Sequence, residues 1–492
     1  MGKEIDETRF TREDRSRYRH KVKRNLAVLQ RMLDDGQFET ARKLIGVEVE
    51  FYVVDDRGEP TMINEELLSR LESQDFQTEL AQFNIEFNLA PHKLVDTVFR
   101  EIEEELTTSF THADRRADEL DAHVAMVGII PTLKDLHVTI QNLSANPRYH
   151  LLNEQILEAR GEDLQVEIDG VERLALQASS IAMEAAATSV QLHLQVSPDG
   201  FATAWNAAQA IAGAQVAVGA NSPFLLGKEL LRETRIALFE QTIDTRSEEL
   251  TAQGVRPRVW FGERWIDSVT DLFDENVRYF PALLPLLDEE DPEAVLGRGD
   301  VPHLPELVLH NGTVYRWNRP IYAVARGKPH LRLENRVLPA GPTMADVVAN
   351  AAFFYGLVRG LADQDEPIAR KLSFAAAADN FRAAAHDGIN AELFWPGAGQ
   401  VPASELILRT LLPIAHTGLD AWGVDPTDRD HYLGIIEQRA LHRRTGANWQ
   451  VETFRSLFDT DGLDREAALI ETTRRYLDHM RSNQPVHTWP LP

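Results

Sequence analysis

The sequence predicts an α+β protein, a strand-containing core followed by a helical C-terminal region. Three observations predict it. Four stretches alternate polar and apolar residues at the period of a strand. Stretches with helical spacing separate them. From Thr343 onward the spacing is helical almost throughout.

Over residues 11–43, Val22, Leu26, Leu29, Met32 and Leu33 recur at helical spacing with no proline among them, so an N-terminal helical segment is expected over 1–43. "IGVEVEFYVVDDRGEP" then alternates and ends in a turn signal at Asp55–Gly58. "LAQFNIEFNLAP" alternates again and stops at Pro91. Residues 98–122 return to helical spacing, and "HVAMVGIIP" is a continuous apolar run of the kind a buried strand carries. "RYHLLNEQILEAR" is helical, "TSVQLHLQVSP" alternates, and an Ala-rich helix is expected from about Asp199 to Ala220. Residues 250–320 mix Pro and Trp without a clear period; within them Asn311-Gly312 is a hairpin-turn signal. "HLRLENRVLPAGP" is the last clear strand, and Thr343 with Asp346 forms the capping pair of the next helix. The expected units are 1–43, a catalytic region over 44–345, and a helical C-terminal region over 346–492 packed on the same core.

Composition limits the function classes. The 492 residues carry 51 Lys+Arg against 77 Asp+Glu, a net charge of −26. A general nucleic-acid binder has a basic excess with which to displace counterions, and this chain has none. There is no cysteine, which excludes disulfides, thiolate nucleophiles and Cys-based zinc sites. No apolar run is long enough for a membrane span. The first twenty residues mix acids and bases without an apolar stretch, so the cytoplasm is the expected location.

The informative pattern is the polar face of each alternating stretch. Glu48 and Glu50 share one face of the first, and Asn84, Glu86 and Asn88 one face of the second. Gln191, His193 and Gln195 share a face of the third, and Arg332, Glu334 and Arg336 a face of the fourth. For any one strand, a solvated face is the ordinary reading. Taken together the faces carry acids, amides, a histidine and arginines, with no lysine. Neighbouring carboxylates repel unless a cation compensates. Oxygen ligands suit Mg²⁺ or Mn²⁺ rather than zinc, and adjacent arginines suit phosphate or carboxylate groups. The residues therefore point to a metal-assisted site for anionic substrates, with phosphoryl chemistry leading. No P-loop and no strand-following GxGxxG is present.

The motifs "GVEVEF" (46–51), "FNIEFNLAP" (83–91), "PRY" (147–149), "TSVQLHLQV" (188–196), "GANSPFLLGK" (219–228) and "HLRLENRVLPAGP" (330–342) follow one another in a familiar order. Together they resemble the glutamate–cysteine ligase type 2 family, of the carboxylate–amine ligase superfamily related to glutamine synthetase. The resemblance implies a curved antiparallel sheet, a half-barrel flanked by helices, whose concave polar face holds ATP, Mg²⁺ (with Mn²⁺ as the alternative) and glutamate. It implies that ATP phosphorylates the γ-carboxylate of glutamate and that an amine such as cysteine displaces the phosphate. By motif, it implies metal binding by Glu48, Glu50, Glu86, Gln191 and Glu334. Arg332 and Arg336 are implied as phosphate-neutralising groups, and Arg235 as a substrate-binding arginine. His193, Asn221, Arg316 and Arg319 are the candidates for contact with nucleotide or substrate. Asn335 and the "LPAG" that follows depart from the family pattern, and the amine is left open. A ligase using another amine and a non-catalytic ligand sensor are the alternatives. Small-molecule partners are expected, nucleic acid and membrane are not, and a homo-oligomer is left open.

Overall fold

A computed structural model describes residues 10–491. Its central element is an eight-stranded antiparallel sheet. The strands are β1 (Leu44–Val54), β2 (Phe76–Thr78), β3 (Asn84–Asn88), β4 (His92–Lys93), β5 (His123–Ala125), β6 (Ser189–Val196), β7 (Asn318–Ala325) and β8 (Lys328–Pro339). Their order is β7-β8-β6-β1-β3-β2, with β4 and β5 pairing different ends of β1. The sheet curls into a half-barrel.

The four alternating stretches are thus β1, β3, β6 and β8, and all four lie side by side in the order β8-β6-β1-β3. Register aligns the polar faces: Glu50 stands opposite Glu86, Glu48 opposite both Asn88 and Gln191, and Glu334 opposite His193. The apolar faces carry Val47, Val49, Ile85, Leu192, Leu194, Leu331 and Leu333, all buried. Two helices pack beneath, α4 (Pro198–Gly219) and α5 (Met344–Ala362), after α1 (Arg12–Asp34), α2 (Val98–Asp118) and α3 (Pro147–Arg160) in the chain. Both underlying helices are apolar nearly all round, as a helix buried between layers must be. The Tyr355 hydroxyl donates to the carbonyls of Gly46 (3.2 Å) and His193 (3.1 Å), fixing α5 under the centre of the sheet. Thr343 caps α5 as expected, its hydroxyl accepting from the Asp346 amide.

Asn335 has a buried role on this apolar side. It faces α4, donating to Gln215 (3.2 Å) and Asn318 (2.8 Å), while the Gln215 amide donates back to it (3.2 Å). Asn318 in turn donates to Gln209 (2.7 Å). A closed set of amides joins two strands to a helix, each member paired. Asn335→Leu leaves Gln215 and Asn318 short of partners, at a cost of about 1–3 kcal/mol for a buried unsatisfied group. Thermal unfolding checks this; an unchanged melting temperature contradicts it.

Three expectations need correcting. Asn311-Gly312 does not turn a hairpin but ends a helix, Pro305–Gly312, which Pro305 starts at its first position. The apolar run 123–131 is strand only over His123–Ala125. The C-terminal region is not wholly helical: Glu392–Trp395 and Gly399–Pro402 pair as a hairpin. One apolar cluster runs from Tyr18 through the sheet to Trp489, so both terminal regions share the central core. Among the described residues no helix is long and apolar enough to cross a membrane.

Candidate active site

The concave face of the sheet lines a cavity of about 950 Å³. Glu48, Glu50, Glu86, Gln191, Arg319 and Arg336 all reach it. Two carboxylate clusters form on this face of the sheet, the second wholly in the cavity wall and the first reaching it through Glu48. In one, ligand atoms of Glu48, His193 and Glu334 lie within 4.8 Å of one another; in the other, those of Glu50, Glu79 and Glu86 do.

The first cluster is compensated by cations. Arg319, opposite Glu334 on β7, grips its carboxylate with two bonds, Nε at 2.6 Å and Nη2 at 3.0 Å. Arg336 Nη1 lies 3.5 Å from the same group, and His193 Nε2 is 2.9 Å from Glu48. Burial works against the Glu334 charge, yet Arg319, Arg336 and His193 hold its carboxyl well below the usual range. Burial likewise opposes the charge of Glu48, and the hydrogen bond and charge of His193 together with Arg336 outweigh it, leaving its carboxyl below the usual range.

The second cluster lacks such relief. Glu50 is held by Ser189, whose amide (2.6 Å) and hydroxyl (3.0 Å) both donate to it. Burial still raises its carboxyl, with Arg336 pulling the other way. Burial and then the charges of Glu48 and Glu50 raise Glu86, although Asn88 (2.8 Å) and Gln77 donate to it. Glu79 rises through burial and then the charges of Glu86 and Glu50. Glu184 is pushed up to about 8 by burial and then the charge of Glu50. Three converging carboxylates with raised pKa values fit a hard divalent cation, which would replace the missing counter-charge. His193 turns Nε2 toward Glu48 and Glu334, while its buried Nδ1 has no hydrogen-bond partner among the described residues.

A bulge in β8 aims Arg336. Between the pairs Asn335–Leu192 and Leu338–Val190, two residues, Arg336 and Val337, stand against Gln191 alone. Arg336 stays on the polar face, Val337 is buried, and beyond the bulge Leu338 takes the apolar face. The departures from the family pattern at Asn335 and "LPAG" flank this irregularity.

Other expected site residues are already engaged or lie outside the cavity. The Gln191 oxygen accepts from Arg336 and its amide donates to Glu50 (3.2 Å), so its expected metal-ligating oxygen is already engaged. Arg235 is buried beside the cavity wall, bound to Glu233 (3.1 Å) and the Val337 carbonyl (2.6 Å), with Trp317 under its guanidinium. It supports the bulged end of β8 and does not line the cavity. Asn221 is fully engaged with Ala340, Tyr476, Gln450 and Glu233. Arg316 is buried between Glu275 and Asn276 over the Trp260 ring, away from the cavity. Arg332 lines a second, smaller cavity of about 110 Å³ beyond His193, with Arg42, Lys328 and His330. Its buried Nε has no partner among the described residues.

Glu79 and Glu184 escaped the sequence reading. Both lie off the alternating strands, Glu79 in the loop after β2 and Glu184 in a short 3₁₀ helix, Ile181–Ala186. For Glu184 a signal existed: it is a lone acid in the apolar run "SIAMEAAATSV".

The model of glutamate–cysteine ligase family 2 matches residues 44–457. The chain belongs to that family. The family and fold support a carboxylate–amine ligase. No curated relative matches the sequence. A glutamate–cysteine ligase from Francisella tularensis, solved with AMP, is similar in structure at 13% identity and a TM-score of 0.54, covering 93% of this chain and 91% of that one. A bifunctional glutathione synthetase from Pasteurella multocida aligns at 12% identity and a TM-score of 0.48, over 93% of this chain and 55% of its own. The first of these likenesses establishes the half-barrel fold.

Proposed function

We propose that the protein is an ATP-dependent ligase that activates the γ-carboxylate of glutamate as an acyl phosphate and transfers the γ-glutamyl group to an amine, with cysteine as the family's acceptor. The observation that carries this reading is the pair of carboxylate clusters on one concave face with Arg336 between them. Glu50, Glu79 and Glu86 would hold one divalent ion, and Glu48, His193 and Glu334 a second. Bound Mg²⁺ or Mn²⁺ supplies neutralising charge for phosphate oxygens.

The chain's own groups do the rest. Arg319 locks Glu334 by a two-bond fork, so that carboxylate is pre-oriented rather than mobile. Arg336 is fixed by Gln191 and Glu334 and faces the site where negative charge develops between phosphate and carboxylate. The small basic cavity with Arg332 suits a phosphate group of the nucleotide, and the acidic lobe around Glu79 and Glu184 suits an ammonium-bearing substrate. Phosphorus NMR of a reaction with ATP, Mg²⁺, glutamate and an amine tests the reading. ADP and phosphate are expected; AMP and pyrophosphate contradict it, because an acyl phosphate leaves ADP.

A pH prediction follows from the uncompensated acids. Glu184 rises from 4.5 to about 8, and Glu79 and Glu86 rise with it, so the folded chain binds protons that the unfolded chain has released. Their contribution to stability is complete below 4.5 and is lost as pH rises through about 8. Metal-free protein therefore melts at a lower temperature as pH rises across that window. Mn²⁺ reverses the decline most strongly at its upper end, where the ligands are ionised. Scanning fluorimetry with and without Mn²⁺ measures both effects; a metal effect that shrinks as pH rises contradicts the ligand assignment.

A further inference from the structure

The large cavity has a lobe that the two carboxylate clusters leave unexplained. Glu184 points into it with no hydrogen bond or ion pair to its carboxylate among the described residues. Arg148, at the start of α3, also lines it and has no carboxylate partner among them. The two share neighbours: both act on the charge state of Tyr149 and of Tyr315, whose rings also line the lobe. The wall also carries four aliphatic side chains, Leu152, Ile243, Leu286 and Leu309, with Asp288 close to Leu286 in sequence.

An acid and a base, each without an internal partner, beside two tyrosines form a receptor for separated charges. A half-buried acid with no hydrogen bond or salt bridge among the described residues, reached only by the more distant charge of Arg336, is costly unless a ligand cation meets it. An ammonium gains from the carboxylate and from tyrosine faces together. An exposed arginine at the mouth is suited to a carboxylate in a planar fork. An aliphatic wall rewards every methylene laid on it. Cysteine offers that wall little.

Resting on the ligase reading, we infer that the acceptor amine is an apolar α-amino acid bulkier than cysteine, its ammonium on Glu184, its carboxylate on Arg148, and its side chain against Leu152, Ile243, Leu286 and Leu309.

The test uses the full chain with ATP, Mg²⁺ and glutamate, and follows phosphate release and the mass of the product. Hydroxylamine, which traps an acyl phosphate without needing an acceptor pocket, runs in parallel. Leucine, methionine or phenylalanine is expected to exceed cysteine in kcat/KM by about tenfold or more, the worth of one or two buried methylenes. Isoamylamine, which is leucine without its carboxylate, is expected to fall by about tenfold, and Arg148→Ala to remove that gap. Glu184→Gln is expected to raise the acceptor KM by about tenfold more than the glutamate KM. Hydroxamate formation with cysteine as the preferred acceptor overturns this inference and leaves the ligase reading standing. Absence of hydroxamate overturns the ligase reading and this inference with it.

Discussion

Glu334→Gln abolishes turnover while the protein remains folded. Glu334 is the residue on which the first cluster converges: Arg319 grips it, Arg336 neighbours it, and His193 lies 4.0 Å away. The amide replacement keeps the shape and one acceptor oxygen for Arg319. It removes the negative charge that a divalent ion needs and turns an NH₂ toward two arginines. Loss of one electrostatic group aimed at a transition state costs about a hundred- to a thousandfold in rate. Loss of a metal-ligand charge belongs at or beyond the upper end of that range. Circular dichroism and a cooperative melt establish that the variant folds, and steady-state kinetics measure the loss. Near-wild-type turnover in a folded variant would mean that β8 supplies no metal ligand.

Arg336→Ala has the second largest effect. Its guanidinium interacts with acids of both clusters, and these raise its own pKa against the pull of burial, through Glu334 first and then Glu50, Glu48 and Glu86. Without it, the charge developing on the transferred phosphoryl group faces the carboxylates with Arg319 already committed to Glu334. The barrier rises by about 3 kcal/mol, which is about a hundredfold in kcat. A transition-state role lowers kcat more than it raises the KM for glutamate. Arg336→Lys keeps the charge and loses the fork, so it recovers part of the rate. Equal losses in the Lys and Ala variants, with a matching fall in melting temperature, would assign Arg336 to structure alone.

The sheet was legible because strand alternation writes itself into sequence. Glu48, Glu50, Glu86, His193 and Glu334 occupy alternating positions, and pairing of β3, β1, β6 and β8 brings their faces together. Alternation does not reveal which strands are neighbours, and so could not separate the residues into two clusters. The bulge at Arg336 and Val337 was invisible for a related reason: it is a property of pairing with Gln191, not of β8. Asn335 read as a departure because its partners, Gln215 and Asn318, are distant in sequence.

Arginines misled most. Arg235 and Arg316 stand near the right motifs, yet burial has turned both inward, onto Glu233 and the Val337 carbonyl in one case and onto Glu275 and Asn276 in the other. A guanidinium that binds substrate and one that ties down a loop are the same residue type at the same spacing. Only the partners distinguish them. Glu79 and Glu184 show the converse, because an acid in a loop or a short 3₁₀ helix has no period to announce it.

The most direct test of the central claim follows oxygen. Glutamate labelled with ¹⁸O in its γ-carboxylate is incubated with the protein, ATP, Mg²⁺ and an accepted amine. If the γ-carboxylate attacks the terminal phosphorus, the C–O bond broken by the amine leaves a labelled oxygen on the phosphate. The account predicts labelled inorganic phosphate in step with amide formation. Amide formation with unlabelled phosphate would contradict it.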